Sequence, residues 1–226
     1  SFSDRYSIFD WGEMPDEIPG KGASLTSITQ ILFKYLEDPQ TYKSLSYPAF
    51  ISEREVASLK LLPEFEELKQ KGALTHFNTV ESPNSFLAKK YNIRRPLLKD
   101  GTYQYPPFSG DKANSLIPLE VVFRLGIPKG SSFIKRNKTS FEPGQFMDKI
   151  IVEFFTKLEP QDRILSYEEA QNISHLSKAQ LDHLTALTKI YAVALFHRFK
   201  QIDLNLWDGK FEFGFDESGK ISLIDS

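Results

Sequence analysis

The sequence contains no cysteine. That absence excludes disulfide staples, thiolate catalysis and cysteine–zinc sites together, and it fits a cytoplasmic protein. Histidine is scarce: His76, His175, His183 and His197 are scattered, and no two stand at a spacing suited to a transition metal. No apolar run is long enough to span a bilayer, and no signal-peptide pattern opens the chain. An excess of either charge is missing as well. Twenty-eight basic and 30 acidic residues leave a formal charge of -2, so no strong field draws nucleic acid or an anionic membrane. Internal repeats and low-complexity tracts are also missing. What remains is ordinary for a globular protein of 226 residues, 40% hydrophobic, 26% charged and 13% aromatic. That length suits one large domain or two small lobes sharing a core.

The start, Ser1 to Asp10, reads as a strand end running into a loop made irregular by Pro15, Pro19, Gly20 and Gly22. Ser27 and Gln30 form a capping-box pattern, and Ile28, Ile31, Leu32 and Tyr35 follow at helical spacing, which predicts a helix from Ser27 to Glu37. Ser52 and Glu55 repeat the pattern ahead of a second helix, broken near Pro63 and stopped near Gly72. The stretch from Pro83 to Ser115 is punctuated by prolines and glycines and reads mostly as loop, with a lobe boundary near Asn114. Ile117 to Arg124 reads as a strand. Ser177 and Gln180 cap the clearest helix, whose Leu181, Leu184, Leu187, Tyr191 and Leu195 share one face. Two strands around the turn Asp216-Glu217-Ser218-Gly219 close the chain. Helices with antiparallel hairpins give an α+β class, in two lobes of 1–114 and 115–226.

The last hairpin carries a chemical pattern. Lys210-Phe211-Glu212-Phe213-Gly214-Phe215 alternates strictly, with the three phenylalanines on one side and Lys210 and Glu212 on the other. A four-residue turn predicts Phe215 opposite Lys220, Glu212 opposite Leu223 and Lys210 opposite Asp225. Lys210, Glu212 and Asp225 then share one surface, with the carboxylates diagonal to each other. Two carboxylates and a lysine suit Mg²⁺ bound to nucleotide phosphates, because Mg²⁺ takes one or two protein carboxylates and fills its shell with phosphate oxygens and water. A solvated outer face with a surface ion pair shows the same pattern.

Four separated segments resemble the SAICAR synthetase family. They are Asp4-Arg5-Tyr6-Ser7-Ile8-Phe9-Asp10 with Ile18-Pro19-Gly20-Lys21-Gly22; Ile117-Pro118-Leu119-Glu120-Val121-Val122-Phe123-Arg124 with Gly130-Ser131-Ser132-Phe133-Ile134-Lys135-Arg136; Phe155-Thr156-Lys157-Leu158-Glu159-Pro160-Gln161-Asp162; and Asp208-Gly209-Lys210-Phe211-Glu212-Phe213-Gly214 with Leu223-Ile224-Asp225. Their order and spacing across nearly the whole chain carry the likeness. The resemblance implies a two-lobed fold with nucleotide in the cleft. It also implies a ligase that uses ATP and Mg²⁺ to join L-aspartate to carboxyaminoimidazole ribonucleotide through an acyl phosphate, in purine biosynthesis. On this reading Glu212 and Asp225 hold Mg²⁺, and Arg124 with Ser131 or Ser132 binds the ribonucleotide. Asp208 and Lys210 contact the ribonucleotide or the transferring phosphate, and Lys157 and Asp162 line the reacting end. Ser7, Asp10 and Lys21 belong to the aspartate or phosphate side. Small-molecule substrates are the expected partners, and a homo-oligomer is compatible with the sequence.

The family also has an earlier glycine-lysine hairpin and a later arginine and helix, which these 226 residues do not include. The expectation is a segment of a longer protein or a degenerate relative. The alternatives to the ligase are accordingly a non-catalytic nucleotide-binding relative and another ATP-dependent enzyme on the same scaffold.

Overall fold

The computed structural model describes residues 1–8, 12–108, 112–131, 133–134 and 142–225. Its frame is one antiparallel sheet of five strands. These are β7 (Ser115–Ile127), β8 (Gln145–Thr156), β9 (Ile164–Leu165), β10 (Asp208–Phe215) and β11 (Ile221–Asp225), in the spatial order β11-β10-β7-β8-β9. Three two-stranded hairpins stand outside it: β1 (Arg5–Ile8) with β2 (Gly12–Glu17), β3 (Phe77–Ser82) with β4 (Ser85–Ala88), and β5 (Leu97–Lys99) with β6 (Thr102–Gln104). Helices mixed with antiparallel sheet bear out the α+β class.

One face of the sheet is apolar. Directly opposed residues share a face, so the partners Phe211↔Val121 and Val121↔Phe154 lie together, as do Gly209↔Phe123 and Phe123↔Val152. Helix α6 (Lys178–Lys200) covers this face, and Tyr191 meets the Phe211 ring edge-on at 5.8 Å. Ser177 caps it as the sequence predicts. The Ser177 hydroxyl accepts from the Gln180 N–H at 3.2 Å, and the Gln180 side chain accepts from the Ser177 N–H at 3.0 Å. Helix α5 (Tyr167–Ser174), not read from the sequence, opens with the same reciprocal pair, Ser166 and Glu169. Helices α2 (Pro39–Lys43), α3 (Glu53–Lys60) and α4 (Pro63–Lys71) complete the packing. Ser52 caps α3, Pro63 separates α3 from α4, and Gly72 at φ 72° stops α4, as expected.

Two expectations are corrected and one is completed. Helix α1 runs from Lys21 to Glu37, starting well before Ser27. A distant side chain starts it: the Asp4 carboxylate accepts from the N–H groups of Gly20 at 2.9 Å and Gly22 at 2.8 Å. Those backbone hydrogen bonds hold the Asp4 carboxyl below its ordinary pKa. Ser27 is therefore an exposed mid-helix residue rather than a cap. Second, the stretch from Pro83 to Ser115 is mostly outside regular structure, as expected, but it also holds β4 and the β5–β6 hairpin, which the sequence reading left out. Third, the last hairpin is out of the expected register. Its loop has three residues, Glu217 to Gly219, with Gly219 at φ 76°, and Asp216 and Lys220 pair across it. Asp216 fixes this by accepting from the N–H of Ser218 at 2.9 Å, the Ser218 hydroxyl at 2.8 Å and the N–H of Lys220 at 2.9 Å. Phe215 thus faces Ile221 and Phe213 faces Leu223. After an irregularity Glu212 faces Asp225 directly, not Leu223. Lys210 faces Val122 of β7 rather than Asp225.

Candidate active site

The second face of the sheet is charged. Pairing places Asp208 opposite Arg124, Lys210 opposite Val122 and Glu212 opposite Glu120 on β10 and β7, and Val122 opposite Glu153 on β8. Lys157 follows at the end of β8. Two groups result.

In the first, two carboxylates directly opposite each other, Glu120 and Glu212, are both buried. Like charges so placed repel. Two lysines relieve them. Lys210 Nζ meets Glu120 at 2.5 Å and Glu212 at 3.0 Å, while Lys157 Nζ meets Glu212 at 2.5 Å and Glu120 at 3.6 Å. Burial alone would lower the Lys210 ammonium, but the two carboxylates outweigh it and raise its pKa above the ordinary lysine value.

In the second, the Arg124 guanidinium is nearly covered. Its Nε donates to Glu153 at 2.6 Å and its Nη1 to Asp208 at 2.9 Å. The guanidinium also lies 5.3 Å from the centre of the Phe133 ring, and Ser131 accepts from the Phe133 N–H at 3.3 Å. The Ser131 loop and Arg124 are thereby brought together.

Glu212 and Asp225 border a cavity of about 440 Å³. Helix α1 contributes Leu25, Ile28, Thr29 and Leu32 to its wall, and His76 faces it between the rings of Phe33 and Phe86. Burial pushes His76 down to about 4, although the Glu212 charge pulls the other way, so the imidazole is neutral near pH 7. No group of three or more His, Cys, Asp or Glu able to hold a metal occurs among the described residues. A carboxylate pair does fit an ion that takes most of its ligands from phosphate and water.

Of the residues singled out from sequence, Lys157, Lys210 and Glu212 meet in the first group and Arg124 and Asp208 in the second, Asp225 faces Glu212, and Ser131 adjoins Arg124. Asp162 borders a different cavity, of about 460 Å³, with Tyr103, Glu159, Pro160, Gln161 and Arg163. Lys21 is engaged with backbone: its Nζ donates to the carbonyls of Ser3 at 3.1 Å and Arg5 at 2.8 Å. Ser7 is exposed on β1 opposite Glu13. Asp10 and Ser132 lie outside the described residues. Sequence reading gave no role to Glu120, Glu153 or His76. For the first two the signal was present: carboxylates inside apolar strand runs rarely go in unpaired.

The family model for SAICAR synthetase matches residues 1–226. A putative phosphoribosylaminoimidazole-succinocarboxamide synthase of Archaeoglobus fulgidus is 32% identical over 237 residues, covering 100% of this chain and 64% of that protein. The chain therefore spans less than two thirds of that relative's length. Among solved structures, a SAICAR synthetase (type 2) in complex with ADP has a TM-score of 0.65 at 22% identity, covering 100% of this chain and 71% of that one. The SAICAR synthase of Saccharomyces cerevisiae complexed with SAICAR has a TM-score of 0.59 at 22% identity, covering 99% and 64%. At these identities the structures speak for the fold.

Proposed function

The chain belongs to the SAICAR synthetase family, and we propose that this protein carries out an ATP-dependent ligation of L-aspartate to carboxyaminoimidazole ribonucleotide in purine biosynthesis, in the cytoplasm. The carrying observation is the pair of opposed buried carboxylates bridged by two lysines. A fold gains nothing from placing Glu120 against Glu212, whereas a phosphoryl-transfer site needs carboxylates and movable cations together.

The chemistry takes two steps. An oxygen of the ribonucleotide carboxylate attacks the γ-phosphorus of ATP, and ADP leaves, giving an acyl phosphate. The aspartate amine then attacks the acyl carbon, inorganic phosphate leaves with the bonding pair, and the nitrogen sheds a proton. Phosphorylation is required because a free carboxylate repels nucleophiles and has no good leaving group. On this reading Glu212 and Asp225 would hold Mg²⁺, which would neutralise charge on the nucleotide phosphates. Lys157 and Lys210, released from Glu212, neutralise the transferring group, and Glu120 keeps them within reach. Arg124, aimed by Glu153 and Asp208, offers its remaining N–H groups to a substrate anion, and Ser131 adds its loop. Asp162 lines the reacting end with Lys157, and Ser7, Asp10 and Lys21 belong to the aspartate or phosphate side. The protein's share is positioning and charge neutralisation.

Phosphate release from ATP and Mg²⁺ tests this, with both co-substrates present or each left out. Release that requires both, and is lost in Glu212→Ala, is the expected result. Release indifferent to L-aspartate or to the ribonucleotide would sink the assignment.

A further inference from the structure

The β5–β6 hairpin is an element that the proposed chemistry leaves without a task. The segment leaving it is tied down at several points. The Tyr105 hydroxyl donates to Glu159 Oε1 at 3.1 Å. His175 Nε2 donates to the Tyr105 carbonyl at 2.9 Å. Arg94 Nη1 donates to the Pro106 carbonyl at 3.0 Å, and its guanidinium sits 3.7 Å from the centre of the Phe108 ring. Phe108 in turn meets Phe215 of β10 edge-on at 5.4 Å.

Glu159 belongs to the loop between β8 and β9, which begins at Lys157 and carries Asp162. The base of that loop is closed by Thr156 and Arg163: the Thr156 N–H donates to the Arg163 carbonyl at 3.0 Å, and the Arg163 N–H donates to the Thr156 hydroxyl at 3.0 Å. Higher in the loop Glu159 is the anchor. Its side chain is only 9% exposed, held by Tyr105 and, at 3.6 Å, by Arg163. Tyr103 of β6 lines the cavity that Asp162 borders.

We propose that Tyr105 is a positioning residue: its phenol fixes Glu159, and through it sets where Asp162 stands relative to the charged face. The inference rests on the reading above, in which Asp162 serves the reacting end. Glu159 is a covered carboxylate with few donors, so deleting one hydroxyl lets the crown of the loop move while its base stays closed. Lys157 is held independently by Glu212 and Glu120, so the displacement falls mainly on Asp162 and on the cavity it lines with Tyr103.

Steady-state KM values for ATP, L-aspartate and the ribonucleotide test this in the wild type, Tyr105→Phe and His175→Asn, alongside thermal midpoints. Loss of a hydrogen bond to a charged group corresponds to about tenfold. The expected result is a rise of that size in the KM of one of the two carboxylate co-substrates in Tyr105→Phe, with the KM for ATP unchanged. A smaller rise in the same constant is expected in His175→Asn. A merely less stable protein would lower kcat and leave every KM in place. Unchanged KM values for both co-substrates in Tyr105→Phe would overturn the positioning role while leaving the ligase reading intact. A wild type whose turnover ignores the co-substrates would overturn the ligase reading, and the role of Tyr105 with it.

Discussion

Glu153 offers a stringent test of how the charged face is held. Replacing it with alanine removes the carboxylate that Arg124 Nε meets at 2.6 Å, where the two side chains are only 8% and 9% exposed. Water cannot step in easily at that burial. Asp208 remains on Nη1 at 2.9 Å, but its side chain is 37% exposed and compensates only in part. Removing one member of a buried pair costs about 3–5 kcal/mol, and the surviving Asp208 contact points to the lower end, about 3 kcal/mol. With a urea slope of about 3 kcal/mol/M for a chain of this size, the unfolding midpoint should fall by about 1 M. Urea titration followed by far-UV circular dichroism at neutral pH measures it. The companion variant, Arg124→Met with Glu153→Leu, should regain most of the loss, because an apolar pair of similar volume commonly replaces a buried ion pair without penalty. A midpoint shift under about 0.3 M in Glu153→Ala would refute the reasoning, since it would mean that water or rearrangement satisfies the guanidinium. So would a double variant less stable than the single one.

His76 should make stability pH-dependent. Its folded pKa of about 4 lies below its ordinary 6.5, so the unfolded chain binds the extra proton between those values. Stability is therefore complete above pH 6.5 and declines as pH falls toward 4. Asp4, Glu169, Asp182 and Asp216, all held below their ordinary carboxylate values, titrate beneath most of that window. Thermal midpoints in the ligand-free protein between pH 4.5 and 6.5 should slope upward with pH and flatten in His76→Phe; an equal slope in both proteins would contradict the assignment. Gly72→Ala should destabilise strongly, by about 3 kcal/mol or more, because it combines a left-handed φ with a Cβ placed on the Glu37 carbonyl. A thermal midpoint within about 2 °C of wild type would show that α1 and α4 can separate there at little cost.

Much of this molecule is legible where interactions are local. The Ser52 and Ser177 caps, the Pro63 break, the Gly72 stop and the alternating phenylalanines of β10 need only neighbours within a turn or a strand. What escaped is set by distant partners. Asp4 starts α1 across sixteen residues of sequence. Asp216 shortens a loop by capturing three donors, which no count of strand residues foretells. At the site, Lys157, Lys210, Arg124 and Glu212 were visible through the family blocks, and the structure puts them on one face of the sheet in two groups. Glu153 and Glu120 needed the pairing of β7 with β8 and β10, and Asp162 needed the course of a loop. His76 drew no attention because a lone histidine in a sequence carries no sign of what will surround it.

The spatial order β11-β10-β7-β8-β9 has a consequence for motion. The three strands that carry Asp208, Lys210, Glu212, Glu120, Arg124 and Glu153 are the interior ones, with β11 flanking β10 over Glu212 to Phe215 and β9 flanking β8 at Phe154 and Phe155. Strands so placed open only when the sheet as a whole does, at something near the full unfolding free energy. The charged face is thus a fixed anvil. Whatever movement a catalytic cycle needs must come from side chains such as the two lysines, or from the segments that ring the sheet.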